Sequence, residues 1–281
     1  MKKGTKTALV VAAILMALGI VVCAVGFGAV NFKFSGLGNE KVTITTFMID
    51  ESFENIKIDT DVCSIRIEPS RDGSCHVEAR ELEQLSYNYD VQSNTLVISE
   101  VDIRSWYENI SFSFAKAEVA LLLPEAEYNT LSFNSDTGDI YVGGDISFKN
   151  VNIDTDTGNM DFDGSKVVAF VAETDTGDIS LVNTSCMEFI ADTNTGNIDM
   201  KKLIATGSIK INTDTGDVNF DGCDAASLDV DTDTGNVKGT LLSPKTFITE
   251  TDTGSVFVPH SSSGGNCKIV TDTGDIKIDI K

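Results

Sequence analysis

From residue 131 onward, apolar and polar residues alternate, and one short phrase interrupts the alternation at a fixed interval. It first reads Ser135-Asp136-Thr137-Gly138-Asp139-Ile140 and last reads Thr271-Asp272-Thr273-Gly274-Asp275-Ile276. Its glycines are Gly138, Gly158, Gly177, Gly196, Gly216, Gly235, Gly254 and Gly274, so the copies lie 19 or 20 residues apart. Five and seven residues before each glycine, and two and four after it, the positions are mostly apolar: Leu131, Phe133, Ile140 and Val142 in the first copy, Ile209, Ile211, Val218 and Phe220 in the fifth. A period of two on both sides of a turn is the mark of strands and not of helices.

Each copy therefore predicts strand, turn, strand and a variable loop. Two short strands cannot bury their inner face alone, so successive coils are expected to stack in parallel at about 4.8 Å per coil. The predicted fold class is all-β: a single-stranded β-solenoid of the parallel β-helix type, with coils of 19–20 residues. Eight coils make a body about 38 Å long.

Ahead of the repeats, residues 41–130 alternate in the same way but without the regular phrase. Thr60-Asp61-Val62-Cys63-Ser64-Ile65 is a worn copy with cysteine in the glycine place. This region predicts degenerate early coils or a capping sheet, since the end units of a stack are atypical. Residues 131–281 form the regular part. The last strand, Ile276 to Lys281, is expected to end the stack, with Lys277 and Lys281 blunting its edge.

Residues 8–30 are an uncharged apolar run behind Lys2, Lys3 and Lys6. About 20 apolar residues span a bilayer as a helix, and the lysines favour a cytoplasmic N-terminus, residues 1–7. A cleaved signal peptide competes, because Val22-Cys23-Ala24 offers small residues, but the run continues past that site. Val22 stands where a lipidation signal needs a small residue. An uncleaved single-pass anchor is therefore expected, with residues 31–40 as linker and everything beyond outside the cell membrane.

Charge narrows the partners. The net charge is −22, which argues against nucleic acid, whose binding needs a basic patch. It also repels an anionic cell surface unless cations bridge the two.

Stacking turns each repeat position into a column. Two residues before glycine stand Asp136, Asp156, Asp175, Asn194, Asp214, Asp233, Asp252 and Asp272; just after it stand Asp139, Asn159, Asp178, Asn197, Asp217, Asn236, Ser255 and Asp275. The simpler role for them is hydrogen bonding within their own turns, with glycine supplying a positive φ. The sharper one is weak calcium binding by Asp136, Asp139, Asp156, Asp175, Asp178, Asp214, Asp217, Asp233, Asp252, Asp272 and Asp275, helped by Asp154, Glu173, Asp192, Asp231 and Glu250, since calcium takes several oxygen ligands. The first threonine of each phrase shares phase with the inward apolar positions, which disfavours an outward threonine ladder of the ice-binding kind.

The order Phe53-Glu54-Asn55-Ile56-Lys57-Ile58-Asp59-Thr60-Asp61, the strand Val119 to Pro124, and Leu131-Ser132-Phe133 running into repeated Asp-Thr-Gly-Asp-Ile resemble the bacterial "putative adhesin" family of LiaG-like envelope proteins, over about residues 45–281. The resemblance implies a membrane-anchored or exported β-solenoid, an adhesin-like or scaffold role linked to envelope stress, and a cell-surface or envelope protein or glycan as partner. It carries no catalytic residues.

The alternative is a β-helix hydrolase or lyase acting on acidic polysaccharide, which would use clustered carboxylates and a basic residue. Arg66, Arg71, Arg80 and Arg104 all precede the repeats, His76 and His260 are far apart, and no nucleophile or phosphate-loop motif is present. No enzyme is expected. Beyond Cys23 there are five cysteines, of which Cys63 and Cys75 suit a hairpin bridge and Cys267 suits a buried thiol.

Overall fold

The computed structural model describes residues 42–82, 85–102, 116–261 and 263–281. The predicted membrane helix 8–30 and linker 31–40 lie outside them. The described residues are all β, and most of their strands fall into two parallel-stacked rows that share one core. The longer row contains β8 (Glu127–Thr137), β10 (Ser147–Thr157), β12 (Lys166–Thr176), β14 (Ser185–Thr195) and β16 (Ile204–Thr215). The shorter row contains β9 (Ile140–Gly143), β11 (Met160–Asp163), β13 (Ile179–Val182) and β15 (Ile198–Lys201). Each Asp-Thr-Gly turn joins the rows. One long strand, β17 (Val218–Thr234), supplies the shorter-row strand of the fifth coil and the longer-row strand of the sixth.

Register follows the sequence repeat. Phe133, Ile153, Ala172, Ala191, Ile211 and Val230 lie over one another, and all are buried. The solenoid expectation holds. Phe162, Phe170 and Phe189 pack together in the core, with ring centroids 4.5 Å apart for the first pair and 5.3 Å for the second.

The stacking order departs from the sequence at both ends. After β18 (Val237–Leu241), the seventh coil, β19 (Lys245–Thr253) and β20 (Val256–Phe257), does not lie on the sixth. The eighth coil, β21 (Gly265–Thr273) and β22 (Ile276–Ile280), lies between them: β21 pairs with both β17 and β19, and β22 with both β18 and β20. The last strand therefore does not end the stack. The physical reason is core quality. The eighth coil brings Cys267, Ile269, Ile276 and Ile278, all buried, whereas the seventh has Thr249 in a core column and leaves Val256 44% exposed. Lys281 pairs with Asp221 at 3.1 Å and blunts no edge.

At the other end, β2 (Asn55–Thr60) and β3 (Cys63–Pro69) lie on the first coil. Below them come β6 (Thr95–Asp102) and β7 (Ala117–Leu123). Beyond those the pairing turns antiparallel: β5 (Leu85–Gln92) on β6, β4 (Cys75–Leu82) on β7, and β1 (Val42–Ile49) on β4. The carboxylate of Glu100 accepts the backbone N–H groups of Asp61 and Val62 at 3.1 Å each, closing the lowest turn. Cys63 and Cys75 form no bridge; with Cys186, Cys223 and Cys267 they are free and buried. Burial pushes the Cys63 and Cys267 thiols up to about 12.

Candidate functional site

The turns carry the outward chemistry, and glycine sets their geometry by contact. A Cβ on Gly196 would stand 1.9 Å from the carbonyl oxygen of Gly177, and one on Gly158 would stand 2.1 Å from that of Gly138. None of the eight repeat glycines has a positive φ; the positive values belong to Gly73, Gly144, Gly164, Gly222, Gly239 and Gly264. The expected left-handed role is thus corrected to close approach between coils. The first threonines point inward as expected: Thr155, Thr174, Thr193, Thr213, Thr232 and Thr271 are buried, and Thr271 Oγ1 donates to Gly235 O at 3.0 Å.

The column after glycine is a ladder between coils, not a set of bonds within each turn. Asp139 Oδ1 accepts Asn159 N at 2.9 Å, Asn159 Oδ1 accepts Asp178 N at 3.0 Å, and Asp178 Oδ1 accepts Asn197 N at 2.7 Å. The ladder continues through Asn197 to Asp217, Asp217 to Asn236, Asn236 to Asp275 and Asp275 to Ser255. In space the order is Asp139, Asn159, Asp178, Asn197, Asp217, Asn236, Asp275, Ser255, so no two carboxylates of this column are neighbours. The amide of Asn236 and the Lys238 ammonium hold the Asp217 carboxyl below the usual range.

The column before glycine is exposed along its whole length: Asp136, Asp156, Asp175, Asn194, Asp214, Asp233, Asp272 and Asp252. Asn194 Nδ2 donates to Asp175 Oδ1 at 2.9 Å. Beside it Asp154, Glu173 and Asp192 follow one another, exposed, and farther along the same row Asp231 and Glu250 are set apart by Asn212 and Val270. Together they line a shallow groove formed by Asp154, Asp156, Glu173, Asp175, Asp192 and Asn194, with Thr155 and Thr174 at its floor and no basic side chain. Among the described residues no three His, Cys, Asp or Glu side chains converge as a metal site. Any bound ion would therefore be shared between carboxylate pairs and water. On the shorter row, burial and the charges of Asp139 and Asp178 raise the Asp161 carboxyl, against a hydrogen bond with Ser180.

Arg66 is committed elsewhere: it lies 3.3 Å from Glu118 and 3.5 Å from Glu68, with its guanidinium 5.2 Å from the centre of the Tyr141 ring. Two groups carry no sequence signal. Glu100 sits in a plain alternating strand. Lys245, only 2% exposed, reaches Asp224 and Ser243, both at 2.5 Å, and nothing in Ser243-Pro244-Lys245 marks the lysine as inward.

The family model described as Toastrack DUF4097 matches residues 53–202 and 165–281. Among solved structures, a protein of Bacteroides fragilis described as a "putative adhesin" aligns with a TM-score of 0.55 at 19% identity, over 85% of this chain and 97% of that one. A "putative lipid binding protein" of Parabacteroides distasonis gives 0.48 at 14% identity, over 86% and 98%. A "putative adhesin" of Parabacteroides merdae gives 0.43 at 19% identity, over 86% and 98%. The first of these likenesses supports the fold. No curated protein matches the sequence.

Proposed function

The chain belongs to the Toastrack DUF4097 family, and from that premise we propose that it is a non-enzymatic, adhesin-like or scaffold protein of the cell envelope. Residues 8–30 anchor it with the N-terminus inside, and the solenoid stands outside as a rigid acidic surface for an envelope protein or glycan. The observation that carries this reading is the exposed column of carboxylates before the glycines, doubled over the second to fourth coils by Asp154, Glu173 and Asp192 and fixed in register by strand pairing on the longer row. Such a face offers repeated, evenly spaced acceptors about 4.8 Å apart and suits an extended ligand. The groove between the columns lacks the lysine or arginine that polysaccharide cleavage would call on. Calcium, held loosely by carboxylate pairs, bridges the face to anionic partners and relieves repulsion within it. An accessory part in sensing envelope stress would use the same face.

The test is retention of cells on immobilised cell-wall glycan. Cells displaying the full chain should be retained more than cells lacking it. Replacing Asp154, Asp156, Glu173 and Asp175 with their amides should remove most of the gain, as should a chelator. Equal retention with and without the chain rejects the adhesive reading.

A further inference from the structure

Strand β1 is the part of the fold that the solenoid does not explain. Its eight residues, Val42-Thr43-Ile44-Thr45-Thr46-Phe47-Met48-Ile49, carry no charge in a protein of net charge −22. Among the described residues it pairs only with β4, antiparallel, and its other edge has no strand on it. Ile44 is 74% exposed, Met48 58%, Phe47 44% and Val42 37%, the densest group of exposed large apolar side chains among the described residues. Val42, Ile44 and Met48 share the outer face of the strand, while Phe47 lies on the inner face, opposite Val77, and packs on Tyr89 of β5 with ring centroids 5.1 Å apart. Proteins in solution blunt such an edge with lysine, proline or a bulge. β1 has none of these.

We infer that β1 docks on the outer surface of the lipid bilayer. The inference rests on the proposed anchoring through residues 8–30. Only residues 31–41 separate that apolar run from Val42, a stretch that spans at most about 40 Å when fully extended, so β1 is tethered near the bilayer. The chemistry fits the interfacial zone. Val42, Ile44 and Met48 insert among the acyl chains, and the hydroxyl of Thr46, on the same face, meets the headgroups. Across the register Ile44 lies opposite Arg80 and Met48 opposite His76, with Glu78 between them opposite Thr46 and Glu81 opposite Thr43. The ground beside the patch is thus of mixed charge, unlike the acidic columns, and an anionic headgroup finds the Arg80 guanidinium beside the apolar strip. Lying flat on the membrane by this end, the solenoid holds its carboxylate columns at a set angle to the cell surface.

The experiment uses the full chain in nanodiscs of equal parts phosphatidylethanolamine and phosphatidylglycerol, doped with a phospholipid that carries a photoactivatable diazirine in its acyl chain. Labelled peptides are mapped by mass spectrometry. Adducts are expected on both 8–30 and 42–49, and not on 147–201. In the variant Ile44→Asp with Met48→Asp, labelling of 42–49 should fall about five-fold or more while that of 8–30 is unchanged. These two side chains are exposed, so the melting temperature should not move. Adducts on 8–30 with none on 42–49 overturn the docking and leave the anchor standing. Adducts on 42–49 with none on 8–30 support the docking and overturn the anchor. Adducts on neither overturn both.

Discussion

Lys245 Nζ lies 2.5 Å from Asp224 Oδ1, and the link passes across a coil to which neither residue belongs. Lys245 pairs with Gly265 of the intercalated eighth coil, and Gly265 in turn packs against Ala226. A Cβ on Gly265 would stand 1.9 Å from Ala226 O, so the eighth coil lies close against the sixth and the lysine reaches Asp224 across it. The pair therefore fastens the seventh coil to the sixth with the eighth held between.

Breaking this clasp should be costly and pH-dependent. Desolvation raises the Asp224 carboxyl, but the hydrogen bonds from Lys245 and Ser243 outweigh it, and the net position is below the ordinary range. A depressed carboxyl adds stability above its unfolded value, near pH 4, and loses it as pH falls through the folded value. Lys245→Met leaves the Asp224 carboxylate with the hydrogen bonds from Ser243 and the Ala225 N–H but without its cation, and should lower the unfolding free energy by about 3 kcal/mol at neutral pH. The deficit should shrink below about pH 4, where Asp224 of the variant takes up a proton. Urea titrations at a series of pH values check both points.

The repeat glycines should tolerate no side chain, for a reason distinct from backbone conformation. Gly196→Ala drives a Cβ to 1.9 Å from Gly177 O, and neighbouring coils must part to admit it. The expected loss is about 3 kcal/mol or more. Gly73 is the contrast: its φ is +77° and a methyl group added there would meet nothing within 4 Å. Gly73→Ala should lose about 1–2 kcal/mol, the cost of a left-handed alanine. Near-equal losses would mean that close approach does not govern the turns.

Much of this fold was legible because one phrase fixes one register. The period of two named the strands, the spacing named the coils, and the phase of Thr155 or Thr213 placed them inward. Stacking order was not legible for the same reason. Every coil carries the phrase, so Gly254 or Gly274 could lie on Gly235, and only the weaker core around Thr249 and the bare Gly265 decide. Local pattern also cannot separate a glycine needed for φ from one needed for contact; Gly144 and Gly158 look alike in sequence and differ in cause. The acidic columns were found, but the Asp-to-Asn ladder bonds depend on which coil lies next.

A second corner of the coil holds a correctable strain. Gly144, Gly164 and Gly222 occupy equivalent loop positions with φ of 82°, 85° and 65°, and Lys202 does the same at 55°. Its N–H bonds to Asp221 O at 2.8 Å, so the conformation is fixed by the next coil. Lys202→Gly should stabilise the protein by about 0.5–1 kcal/mol, the left-handed penalty less the extra entropy of an unfolded glycine. A higher urea midpoint with an unchanged slope is the expected reading.

The alternation of Asp and Asn after the glycines makes the last prediction, and it bears on calcium. Asn197 stands between Asp178 and Asp217, donating its N–H to the first and accepting from the second. Asn197→Asp keeps both backbone bonds but stacks three carboxylates at about 4.8 Å spacing. Each adjacent pair then repels by about 1 kcal/mol in bulk water and several times more at a protein surface. A net loss of about 2 kcal/mol is expected at low salt, recovered in large part at high ionic strength, because exposed charges are screened within a few ångströms there. If calcium settles between neighbouring carboxylates, millimolar calcium should raise the melting temperature of the native chain by a few degrees. It should raise that of the variant further, and magnesium, which dehydrates reluctantly, should do less. A variant rescued by sodium and calcium equally at matched ionic strength would reduce the columns to turn chemistry, and the adhesive face would then have to bind its partner without a bridging ion.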